Sequence, residues 1–69
     1  MSEEEKKDVY NWVDNSLSSI FPDAIERDMV MVSIFNDVVA DIETTADENF
    51  NSSDIDIALA RVLYKRIVK

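Results

Sequence analysis

The stretch "MVMVSIF", residues Met29 to Phe35, decides the fold. Taken alone it is ambiguous, because a short apolar run suits a buried strand as well as a buried piece of helix. Its neighbours separate the two. Ile25, Met29, Val32, Phe35, Val39, Ile42 and Ala46 recur in steps of three and four from position 25 to position 46. That is the helical period sustained well beyond the length of an ordinary strand. A second row, Met31, Ile34 and Val38, lies beside the first. Together the rows cover at least half the circumference, more than a helix with one neighbour buries. "DAIE" at 23–26 supplies an acidic cap with Glu at the third position. The expectation is a helix over 24–45, with Met31, Ile34 and Val38 assigned to a dimer or partner interface.

Working outward, "SEEE" at 2–5 reads as a capping box that starts a helix over 3–20. Val9, Trp12, Val13, Leu17 and Ile20 trace one face, with Tyr10 at its edge, and Trp12 and Tyr10 are read as core packing. Pro22 ends that helix, since the residue before proline is pushed out of the α region. On the other side, Ser53 and Asp56 read as a capping box for a helix over 54–68, whose bases gather toward the C-terminal end. Ile55, Leu59, Val62 and Leu63 form one stripe of it; Ile57, Ala60, Tyr64, Ile67 and Val68 form another, roughly opposite. Three helices cannot cover both, and a large exposed apolar patch marks an interface. The expected fold is therefore all-α: a small three-helix domain, residues 1–69, forming a helical homodimer through Met31, Ile34, Val38, Ile57, Tyr64 and Val68.

A chain of 69 residues makes one domain near the lower size for a self-sufficient core. It has no Cys, so no disulfide and no thiolate metal site; it has no His, the commonest general base and metal ligand. It has no Gly, which removes the phosphate-cradling loops and most tight hairpins. These absences point away from an enzyme, and no cofactor or metal is expected.

The formal net charge is −8, unevenly spread. Between Asp8 and Asp56 the single base is Arg27, whereas from Ile57 onward there are bases and no acid. Direct binding to nucleic acid needs a basic footprint and is not expected. A basic, nucleic-acid-binding protein is the better-matched partner. The opening "MSEEEKKDVY" lacks the apolar core of a signal peptide, and no segment reaches the roughly 20 apolar residues of a membrane span. The expected location is cytoplasmic, without a membrane partner.

Three stretches invite sharper readings. "DENFNSSDID" at 47–56 spaces oxygen-bearing side chains two apart, as a calcium loop does. Such a loop needs Gly at its sixth position and Glu at its twelfth, where this chain has Ser52 and Ala58. A loop anchored by Phe50 and leading into a capped helix is the plainer reading. In "VDNSLSSIF" at 13–21, Ser16 and Leu17 resemble part of the Asp-Ser-Leu motif of acyl carrier proteins, but Asn15 stands in place of Asp and the motif falls inside the first helix. Asp28 falls between Ile25 and Val32 on the apolar arc; it either reaches water or pairs with Arg61 or Arg66 of a second chain.

The functional expectation is a small acidic, non-catalytic protein-binding module that inhibits or modulates another protein. In its specific form the acidic surface imitates DNA through Asp14, Glu26, Asp37, Asp41, Asp47 and Glu48. In size and charge the chain is similar to small phage-encoded inhibitors of DNA-binding proteins, polymerases and nucleases, a likeness of class without a shared motif. The alternative is a structural or regulatory dimerisation or adaptor module that binds through apolar helix stripes, its acids serving solubility.

Overall fold

The computed structural model describes residues 1–46 and 49–67. The chain folds into three helices: α1 (Glu3–Leu17), α2 (Ala24–Thr45) and α3 (Ser52–Ile67). Asp14 near the end of α1 pairs with Arg27 near the start of α2, and Asp41 and Asp37 of α2 pair with Arg61 and Arg66 of α3. Consecutive helices therefore run antiparallel, giving an up-down-up bundle. The ambiguous stretch at 29–35 is helical throughout. Among the described residues, no helix is long and apolar enough to cross a membrane.

Local chemistry sets the helix ends. The Ser2 hydroxyl accepts from the Glu5 N–H (3.1 Å) and the Glu5 carboxylate accepts from the Ser2 N–H (3.0 Å), the capping box expected from "SEEE". α1 stops at Leu17, three residues earlier than its apolar pattern suggests. The Ser18 and Ser19 hydroxyls donate to the carbonyls of Asn15 and Ser16, and the Ile20 and Phe21 N–H groups both turn back to the Leu17 carbonyl. Serines compete with the helical ladder in this way, and the tightened turn carries Ile20 out to solvent. α2 begins where expected, with the Asp23 carboxylate accepting from the Ile25 N–H at 2.9 Å. α3 begins two residues earlier than expected, because the operative box is Asn51 with Asp54: each side chain accepts from the other's N–H, at 3.1 and 3.0 Å. Its last expected residue, Val68, lies outside the described residues.

The core is closed within one chain. Val9, Val13 and Leu17 of α1 meet Met31, Ile34, Val38 and Ile42 of α2 and Ile55, Ala58, Leu59 and Val62 of α3. Phe50 packs against this cluster, as the loop reading required. Among the described residues no polar or charged residue is buried.

The face of α2 is the main correction to the sequence reading. Met31, Ile34 and Val38 are fully enclosed in the monomer's core and so cannot form an interface with another molecule. Ile25, Met29 and Val32, from the longer row, are exposed instead. Arg27 supplies the reason. Its guanidinium turns inward at the α1–α2 corner, where Nε donates to Asp14 Oδ1 at 2.7 Å and Nη1 donates to the Phe21 carbonyl at 2.9 Å. At about 100° per residue, Ile25 lies roughly opposite Arg27 on the helix, so anchoring the arginine inward turns the isoleucine outward.

Candidate protein-binding surface

Two apolar stripes remain on the outside of the bundle. On α2, Ile25, Met29 and Val32 are 75, 71 and 83% exposed. They are spaced i, i+4, i+7 and lie within about 60° of one another on the helix, facing away from Met31, Ile34 and Val38. On α3, Ile57, Tyr64 and Ile67 are 51, 66 and 81% exposed, with Ala60 exposed between them. This second stripe is the one expected from the sequence: Ile57 and Tyr64 lie on it, and Val68 falls outside the described residues. Between α2 and α3 a shallow groove is lined by Met29, Val30, Ile34 and Leu63, with Glu26, Ser33 and Arg66 at its rim.

The aromatic residues of α1 are half-exposed and tied down at one edge. Tyr10 packs edge-on against Phe35, with ring centroids 5.5 Å apart at 70°. The Trp12 indole Nε1–H donates to Asp56 Oδ1 of α3 at 2.7 Å. Both rings thus seal seams between helices and are only partly in the core.

The acids expected to act on a partner are in large part engaged inside the molecule. Asp14 holds Arg27. Asp37 accepts from Arg66 Nη2 at 3.0 Å, and the same guanidinium donates to the Ser33 hydroxyl and carbonyl, each at 2.6 Å. Asp41 takes Arg61, whose Nε stands 3.1 Å from both carboxylate oxygens and whose Nη2 donates to Thr45 Oγ1 at 2.9 Å. That hydrogen bond from Arg61 holds the Asp41 carboxyl below its ordinary value of 3.8, with the guanidinium charge and Thr45 acting in the same direction. Each arginine of the chain is therefore committed to an aspartate of a neighbouring helix. Glu26 is exposed and joins no ion pair among the described residues, and Asp28 is in the same position. Asp47 and Glu48 lie outside the described residues.

Asp28 reaches water at the edge of the α2 stripe. The arginines considered as its partners, Arg61 and Arg66, are held by Asp41 and Asp37 of their own chain. In the loop before α3, Asn51 is committed to capping the helix and Ser53 is already in its first turn. Arg27 is the residue that sequence reasoning missed. Its signal was present: a lone base in an acidic stretch, placed in the first turn of a helix where the macrodipole disfavours a cation unless something local compensates.

No protein-family model, curated protein or solved structure matches this chain.

Proposed function

We propose that the chain is a small non-catalytic protein-binding module that docks through its outer apolar stripes, with its acids serving solubility and the internal ion pairs. The observation that carries this reading is the exposure of Ile25, Met29 and Val32 on α2 and of Ile57, Tyr64 and Ile67 on α3. Six large apolar side chains aligned on two helices form contiguous rows, whereas isolated exposed apolar residues would need no explanation. The core closes without them, so they are free for another molecule. DNA mimicry is the weaker form of the proposal, because Asp14, Asp37 and Asp41 each spend their charge on an arginine.

The test is capture by the immobilised chain at low salt, washed up to about 1 M salt, where exposed charges are screened within about 3 Å. The wild type is compared with a Val32→Asp, Ile67→Asp variant and with a Glu26→Gln, Asp37→Asn variant. Apolar docking predicts a partner that survives the wash and is lost from the first variant. A partner that leaves as salt rises, and that the second variant alone fails to hold, overturns it in favour of mimicry.

A further inference from the structure

We infer that the α2 stripe, Ile25, Met29 and Val32, is a seat for an amphipathic helix that carries basic residues on both sides of its apolar row. The inference rests on the docking reading above and adds the chemistry of the occupant. Three anchors spaced i, i+4, i+7 are the pattern that one helix presents to another in helix–helix recognition. They span about 10 Å at 1.5 Å per residue, two turns of a partner. Met29 belongs both to the stripe and to the groove shared with Val30, Ile34 and Leu63, so an anchor set beside it enters an apolar depression. Methionine suits such a place because its unbranched side chain re-packs around different shapes.

Charge selects the occupant. Glu26 flanks the stripe on the side toward α3, at the rim of the groove, and Asp28 flanks it on the opposite side. Both are exposed, and neither joins an ion pair among the described residues. The one guanidinium at the groove, Arg66, is held by Ser33 and Asp37. The stripe is therefore apolar along its middle and acidic along both margins, and cations to match must come from the other molecule. A second copy of this chain fits poorly. It would bring the same acidic margins to meet those of Glu26 and Asp28, in a molecule of net charge −8 whose arginines are each held by an aspartate. Like charges in such juxtaposition oppose association.

Three synthetic peptides test the inference: a Leu/Lys amphipathic helix, its Leu/Glu counterpart with the same leucine positions, and a Leu/Lys peptide of the same composition with the leucines scrambled. Each is titrated into the isotopically labelled full chain, with affinity read by anisotropy and the site by amide shifts. The Leu/Lys helix is expected to bind at least about tenfold tighter than either control, a difference of about 1.4 kcal/mol. Its shifts should centre on Ile25 to Val32. Met29→Asn with Val32→Asn should weaken it by at least about tenfold, Glu26→Gln with Asp28→Asn should weaken it measurably, and Asn11→Ala, on the exposed side of α1, should leave it unchanged. All of these positions are exposed, so circular dichroism of the variants should match the wild type.

Equal binding of the Lys and Glu helices, absence of binding by either, or equal binding of the scrambled peptide overturns the inference. Shifts centred on Ile57 to Ile67 also overturn it, as does sedimentation showing self-association that the Met29→Asn, Val32→Asn variant abolishes. Those last two results leave apolar docking standing and change only the occupant or the helix. Failure of the salt-wash comparison overturns docking itself, whatever the peptides do.

Discussion

Arg61 and Asp41 lock α3 to α2 by a two-oxygen grip, the arginine Nε standing 3.1 Å from each carboxylate oxygen while Thr45 takes the neighbouring Nη2. The carboxylate is 8% exposed and the guanidinium 42%. Because the folded-state pKa of Asp41 lies below 3.8, this contribution to stability is complete above that value and is lost as the pH falls through the lower folded-state value. Glu5 behaves alike: hydrogen bonds from the Ser2 backbone, then from its side chain, hold it below 4.5. Urea titrations from pH 6 downward should show the midpoint falling below about pH 4. Asp41→Asn should be less stable at pH 6, by about 1 kcal/mol, and its midpoint should fall less on acidification. A slope identical to wild type would contradict the Asp41 assignment.

The two faces of α2 predict opposite responses to the same kind of truncation. Ile34 is buried among Val9, Val38, Leu59 and their neighbours, so Ile34→Ala should cost about 2–5 kcal/mol. In a domain with only about 3–5 kcal/mol to lose, that leaves much of the population unfolded at room temperature. Val32→Ala, two residues away, should change stability by no more than about 0.5 kcal/mol. Chemical denaturation followed by circular dichroism separates the two, and equal losses would mean that the helix is rotated from the orientation described above.

Removing the inward guanidinium at the α1–α2 corner should expose a cost shared with its partner. Arg27→Met leaves Asp14 half-buried without its cation and the Phe21 carbonyl without its donor. A loss of about 1–2 kcal/mol is expected. The double variant Arg27→Met, Asp14→Asn should lose less than the sum of the singles, which a double-mutant cycle in urea measures directly. Strict additivity would show that the pair is not coupled.

The single tryptophan reports on the α1–α3 seam. With its indole N–H held by Asp56 at 2.7 Å, Trp12 should shift its emission to the red in Asp56→Ala, as the ring is released toward water, while the far-ultraviolet dichroism stays unchanged. An unaltered emission spectrum would mean that the hydrogen bond does not hold the ring in place.

How far the chain is legible from its sequence can be judged at particular residues. The capping box of Ser2 and Glu5 was readable because it depends on residues three apart, and so was the start of α2 at Asp23. The cap of α3 was harder, since Asn51 with Asp54 and Ser53 with Asp56 have the same spacing and only the geometry of the preceding loop chooses between them. Periodicity found both apolar rows of α2 but could not say that the longer one splits, with Val39 and Ile42 turned inward and Ile25, Met29 and Val32 turned outward. That choice rests on Arg27 reaching Asp14, a contact between helices that no local pattern contains. The pairing of Asp37 and Asp41 with Arg66 and Arg61 was hidden for the same reason, because it requires knowing that α2 and α3 lie antiparallel. The outer row of α3 was legible, since a helix with apolar residues on opposite sides must leave one side uncovered in so small a bundle.

The internal use of every arginine has a kinetic consequence. With those cations neutralised at the helix seams, the remaining carboxylates outnumber the lysines, and the net negative field extends about a Debye length into solution. Such a field acts on the approach of a cationic partner, whereas dispersion and dehydration at Ile25, Met29 and Val32 act after contact. Ionic strength would then change how often encounters succeed and leave the lifetime of the complex almost untouched.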